Sequence, residues 1–128
     1  MLHVQHAAYE AVQTTTADPA RLTLLLFDGA ARFLRQAQEG FDRGGPGDFA
    51  YPLSRAYAII AELTGSLDYD KGGEVALNLG RLYDFMLRHL SEGLIVKSRG
   101  HVTRVLDLLQ AVRESFEQAV RTAGHEPD

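Results

Sequence analysis

Apolar residues recur every three to four positions through four long segments, and no stretch alternates clearly with period two. Such a pattern restricts the chain to amphipathic helices, each of which must bury a face against its neighbours. Asp18-Pro19 opens the first segment: Asp accepts orphan N–H groups, and Pro loses nothing at the first helical position. This helix is expected over about 19–39, stopping at Gly40. The run FDRGGPG (41–47) then holds three glycines and a proline and will not continue it. Asp48 is expected to cap a second helix over about 49–66. The turn LDYDKGG leads to a third at about 73–94, and Ser98 to Gly100 precedes a fourth at about 101–123. Short connections make sequential neighbours antiparallel. The expected fold is all-α, an up-down-up-down four-helix bundle over 18–128 preceded by a short N-terminal arm, residues 1–17.

Size and charge narrow the function. A chain of 128 residues forms one domain that can bury a core without staples. With no cysteine, a disulfide framework, a thiol catalyst and a thiolate zinc site are excluded. The net charge of −4 and the scattered arginines argue against nucleic acid as a partner. No apolar run approaches the roughly 20 residues needed for membrane insertion. MLHVQHAAYEAV lacks the layout of a signal peptide, so a cytoplasmic location is expected.

Helical wheels then show where apolar surface is in excess. In the first helix one stripe comprises Leu22, Leu25, Leu26, Gly29, Ala30, Phe33 and Ala37. A second set, Leu24, Phe27, Ala31 and Leu34, sits beside it. Together they cover about two thirds of the circumference, beyond the ~100° stripe of a surface helix. The second side must be covered by a neighbour, by the arm or by a partner. The second helix has a core stripe of Leu53, Ala56, Tyr57, Ile60, Leu63, Thr64 and Leu67, flanked by a smooth line of small residues, Ser54, Ala58, Ala61 and Gly65. Such a line is either ordinary surface or a seat for another helix. The third helix turns Val75, Ala76, Leu79, Leu82, Tyr83, Met86, Leu87 and Leu90 inward, while Leu77 projects into its charged face and Phe85 sits at the margin. In the fourth, Arg113 interrupts the stripe Val102, Val105, Leu106, Leu109, Val112, Phe116, Val120 and Ala123. Its guanidinium must reach a carboxylate of the same protein or meet a guest.

Catalytic, metal and cofactor sites are not expected. Glu-x-x-His, which di-iron bundles require on inward faces, is absent from the sequence, and His89-x-x-Glu92 reverses the order. His3 and His6 lie in the arm without further ligands. Gly72-Gly73 precedes a helix start but reads as a turn, and no nucleophile stands beside a base.

Two stretches, TTADPARLTLLLFDGA at 15–30 and SLDYDKGGEVALNLGRLYDFM at 66–86, resemble the FliS family of flagellin export chaperones. The resemblance spans roughly residues 9–120. It rests on Tyr9, on Thr16-Ala17-Asp18-Pro19 with Leu22, Leu25, Leu26, Phe27 and Gly29, and on Ser66-Leu67-Asp68 through Gly73, Ala76, Asn78, Leu79, Leu82, Tyr83, Asp84 and Met86. Phe27 and Phe85 stand where family members often carry tyrosine, and the 41–52 linker is unusually rich in glycine and proline. The resemblance implies an antiparallel four-helix bundle that binds the disordered C-terminal region of flagellin. It also implies that the client is kept from polymerising in the cytosol and is presented to the flagellar type III export gate. The candidate partner-binding set is then Tyr9, Leu24, Phe27, Ser54, Ala58, Ala61, Gly65, Leu77, Tyr83, Phe85 and Arg113. Tyr9, with Val4, is further expected to cover part of that surface when no client is present. The alternative is an adaptor bundle that self-associates through the same faces; a homodimer without client stays open.

Overall fold

Asp18 caps the first helix as the sequence demands: its carboxylate accepts the Ala20 N–H at 3.0 Å, and Pro19 occupies the first turn. The computed structural model describes residues 18–45 and 47–124. They form four helices: α1 (Pro19–Arg43), α2 (Ala50–Gly65), α3 (Tyr69–Val96) and α4 (Arg99–Gly124). The expected N-terminal arm lies outside the described residues.

Three boundaries differ from expectation, each for a local reason. α1 runs past Gly40 and ends at Arg43, where Gly44 takes the left-handed conformation (φ 73°) and its N–H reaches the Phe41 carbonyl. Gly40 therefore serves close approach and not termination. A Cβ there would collide with the backbone carbonyl oxygen of Asp48, so only glycine lets the returning loop cross α1. Phe41 and Phe49 stack at 4.0 Å across that crossing. Asp48 does not cap α2; Phe49 holds the cap position, and the Asp48 carboxylate faces Arg43 at 3.6 Å. α3 begins at Tyr69, where Asp68 accepts the Lys71 N–H. The break expected at the glycine pair is a kink inside the helix: Gly73 sits at φ 53°, ψ −128°, a conformation that only glycine adopts without strain.

Each helix packs on its neighbours in sequence, and α1 closes against α4. The core comprises Phe27 and Leu34 from α1, Leu53, Ile60 and Leu63 from α2, Met86 and Leu90 from α3, and Val102, Val105 and Leu109 from α4. Each such burial contributes about 1.5–3 kcal/mol before chain entropy is counted. Polar bonds lock the α1–α4 seam. Arg99 grips the Asp42 carboxylate with two bonds of 2.8 and 3.2 Å, and the Gln38 side-chain amide donates to Thr103 at 2.9 Å.

Both apolar sides of α1 contribute to the core, and Ala30 and Ala37 of the first side are wholly buried. Phe27, Ala31 and Leu34, read as the second side, lie in the centre of the core, whereas Leu25 is 53% exposed. Both flanks of α1 are covered from within the chain, by α2 and by α4. On α2 and α3, Tyr57, Val75 and Leu82 are also exposed where core was expected. Urea denaturation checks the contrast between Leu34 and Leu25. Leu34→Ala should cost about 2–5 kcal/mol through its cavity, and Leu25→Ala should stay within about 0.5 kcal/mol of the parent.

Candidate functional site

Two candidates belong to the interior. Phe27 is 1% exposed and Tyr83 2% exposed. The Phe27 ring meets Tyr83 at 6.4 Å and Phe116 at 5.8 Å, both tilted, so three aromatics join α1, α3 and α4. Burial pushes the Tyr83 phenol up to about 12. Leu24 is half-buried and packs on the same core. Tyr83 is inward, as the wheel of its helix placed it, and also lines a depression at the start of α1. The expectation that Phe27 faces a groove is corrected, because its ring holds the bundle together. A wheel for one helix cannot show this, because it does not say which neighbour covers which side.

Arg113 is engaged within its own chain. Its Nε donates to Asp28 Oδ1 at 2.6 Å, Nη2 to Asp28 Oδ2 at 3.4 Å, and Nη1 to Glu117 at 3.2 Å. The Asp28 hydrogen bond is the main cause holding the guanidinium above its ordinary pKa, opposed by burial. Of the two readings of Arg113, the internal carboxylate is the one observed. Phe85 lies on the α3–α4 side, stacked on His89 at 4.9 Å with the Arg104 guanidinium over its ring at 5.7 Å. Tyr9 lies outside the described residues.

The remaining candidates converge on the α2–α3 side. Ser54, Ala58, Ala61 and Gly65 are all exposed, and a Cβ built on Gly65 would meet open space. Ser54 lines a shallow depression of about 220 Å³ with Leu53, Tyr57, Ser91 and Leu94, which places the Ser54 end of the small-residue line beside α3. On α3, Leu77, Asp84 and Ser91 are seven residues apart and so lie along one line. Leu77, 44% exposed, is thus on the side that Ser91 shares with α2. Sequence reading missed Tyr51 and Ile95, 68% and 78% exposed. The signal was present: Tyr51 extends the series 54, 58, 61, 65 backward by one step, and Ile95 is one turn beyond Ser91.

A second depression, about 340 Å³, opens where α1 begins. Thr23, Leu63, Leu67, Val75 and Leu79 form its walls, and Tyr83 and Phe116 also line it. Elsewhere, the structure shows an unforeseen chain of bonds: Ser98 Oγ lies 2.7 Å from His101 Nδ1, and His101 Nε2 lies 2.9 Å from Glu92. The Ser98 oxygen also accepts the His101 N–H at the start of α4, so it serves as a helix cap. Among the described residues there is no group of three or more His, Asp or Glu side chains placed to hold a metal ion. No helix among them is long and apolar enough to cross a membrane.

The described residues thus define an all-α bundle whose α2–α3 side exposes small and apolar residues among charged ones, a geometry that can receive a helix from another chain. Comparison with known proteins narrows that class. The model of the family described as flagellar protein FliS matches residues 1–123, and the chain belongs to the FliS family. A flagellar secretion chaperone FliS from Salmonella typhimurium is 36% identical over 104 residues, covering 80% of this chain and 77% of that protein. The flagellar secretion chaperone FliSB of Pseudomonas aeruginosa is 32% identical over 117 residues, covering 91% and 92%. Its Bacillus subtilis counterpart is 28% identical over a similar span, 91% of this chain and 86% of the relative.

The Arg113 geometry gives a measurable expectation. A double-mutant cycle with Arg113→Gln and Asp28→Asn should return a coupling of up to about 1 kcal/mol, as for other partly exposed ion pairs. A coupling near zero would remove the pair from the account of Arg113.

Proposed function

We propose that this chain is a cytoplasmic export chaperone whose client is the disordered C-terminal region of flagellin, received on the α2–α3 face. The chaperone holds the client unpolymerised and carries it to the flagellar type III export apparatus. The observation that supports this reading is the open line Tyr51, Ser54, Ala58, Ala61, Gly65 on α2, facing solvent beside exposed Leu77 and Ile95 on α3. Family membership supports a client in flagellar secretion, since the relatives are named flagellar secretion chaperones.

The physics is that of a helix laid in a groove. The α2 line spans 14 residue steps, about 21 Å at 1.5 Å each, which matches roughly four turns of a guest helix. Small side chains let the guest backbone come close, and Leu77 and Ile95 offer anchors for its apolar positions. A client that folds as it binds gives up several kcal/mol in ordering, so the interface must be long and apolar to offset that cost. The bundle itself is already closed, with α1 sealed on both flanks, so binding needs no rearrangement of the core.

Calorimetry with a flagellin C-terminal peptide tests the assignment. Leu77→Asp and Ala61→Arg should each weaken binding by at least about tenfold, the effect of roughly 1.4 kcal/mol, with the thermal midpoint nearly unchanged. Full affinity in both variants would contradict the site. Light scattering separates the rival adaptor: the chaperone forms a 1:1 heterodimer with the peptide, and the adaptor forms a homo-oligomer indifferent to it.

The reading extends to the N-terminal segment. We infer that Tyr9, with Val4, competes with the client for apolar surface. Removal of residues 1–12 should then raise client affinity, and unchanged affinity would argue against competition.

A further inference from the structure

Where α3 ends and α4 begins, the two helices meet through a column of rings. Phe85 stacks on His89 at 4.9 Å and 20°, and His89 stacks on His101 at 4.1 Å and 16°. Gly93 makes the approach possible, because a Cβ there would lie 2.7 Å from the His101 Cβ. The outer surroundings of the two imidazoles differ. His101 has Glu92 at 2.9 Å on Nε2 and the Ser98 hydroxyl at 2.7 Å on Nδ1. His89 lies between two rings, and the guanidinium over Phe85 belongs to Arg104.

We propose that the stacked His89–His101 pair is a proton-sensitive clasp between α3 and α4, closed while at most one ring is charged and loosened when both are. Neutral imidazoles stack face to face without penalty. One proton on the pair is compensated by Glu92, which faces His101. A second proton places two cations in parallel at a centroid distance of 4.1 Å, where their repulsion is far stronger than for exposed charges farther apart. Relief requires the rings to separate, and the ring stack is one of the contacts between the two helices at this end, beside the Glu92–His101 bond.

The charged and titratable groups that face His89 are His101 and Arg104 from α4 and Glu92 from its own helix. Burial first, then the His101 charge, holds the His89 pKa below its ordinary value of 6.5; Arg104 adds to the effect and Glu92 opposes it. The sign follows. An unfolded chain takes up this proton before the folded one does, so the clasp contributes stability above about pH 6.5 and loses it as pH falls below that value. The effect lies in the mildly acidic range, where few other side chains change charge.

Imidazole NMR titration of the intact protein tests this without any substitution. His89 should titrate below 6.5, and backbone signals across 85–104 should move with it. In His101→Phe, which keeps a stacked ring but removes the charge, the His89 midpoint should shift upward. Thermal midpoints followed from about pH 8 to about pH 5 give the second reading. The parent should lose several degrees more than His89→Phe over that range. A His89 midpoint at or above the ordinary value, or parallel stability curves for parent and His89→Phe, would overturn the proposal.

Discussion

The bundle depends on closing a helix that is apolar on two sides. α1 carries Leu22, Leu26 and Phe33 along one flank and Phe27, Ala31 and Leu34 along the next, more than one neighbour can cover. The chain solves this by placing α2 against one flank and α4 against the other. Small residues make the fit close: Gly29 sits 3.5 Å, measured from its absent Cβ, from the Ile59 side chain, and Ala30 and Ala37 are wholly buried. Phe27 then reaches Tyr83 and Phe116, so the first helix anchors the two last ones. The remaining apolar excess is transferred outward to α2 and α3.

That transfer explains why the open face is where it is. α2 shows five small or aromatic residues along one line, with exposed Arg55 and Glu62 on the same helix, and on α3 Asp84 and Arg88 pair with each other at 3.0 Å. Paired charges at i,i+4 offset each other locally. Polar bonds are concentrated on other seams: Arg99–Asp42 and Arg113–Asp28 on α1–α4, and Glu92–His101 on α3–α4. These seams tie the helices together, while the α2–α3 side exposes Tyr51, Leu77 and Ile95.

Fold class was legible in the sequence because 3.6-residue periodicity, an Asp-Pro start and glycine-rich breaks all act locally. Boundaries slipped where a glycine had a tertiary role. Gly40 looked like a stop and is a contact with the Asp48 backbone; Gly73 looked like a helix start and is a kink. The site was legible in part. Ser54, Ala58, Ala61, Gly65 and Leu77 are open as their spacing suggested. Phe27 was misplaced because a wheel cannot distinguish the side of a helix covered by a neighbour from the side that needs a guest. Arg113 found Asp28, 85 residues away in sequence, a pairing that no local pattern announces.

The central claim is that the apolar surface left over after α1 is sealed lies on α2 and α3, and that a flagellin segment covers it. Methyl NMR of the protein with and without a flagellin C-terminal peptide tests it most directly. The account predicts that the methyl signals of Ala58, Ala61, Leu77 and Ile95 shift on binding, while those of Leu34 and Leu109 in the core hold still. Shifts confined to other faces, with these four methyls unmoved, would contradict it.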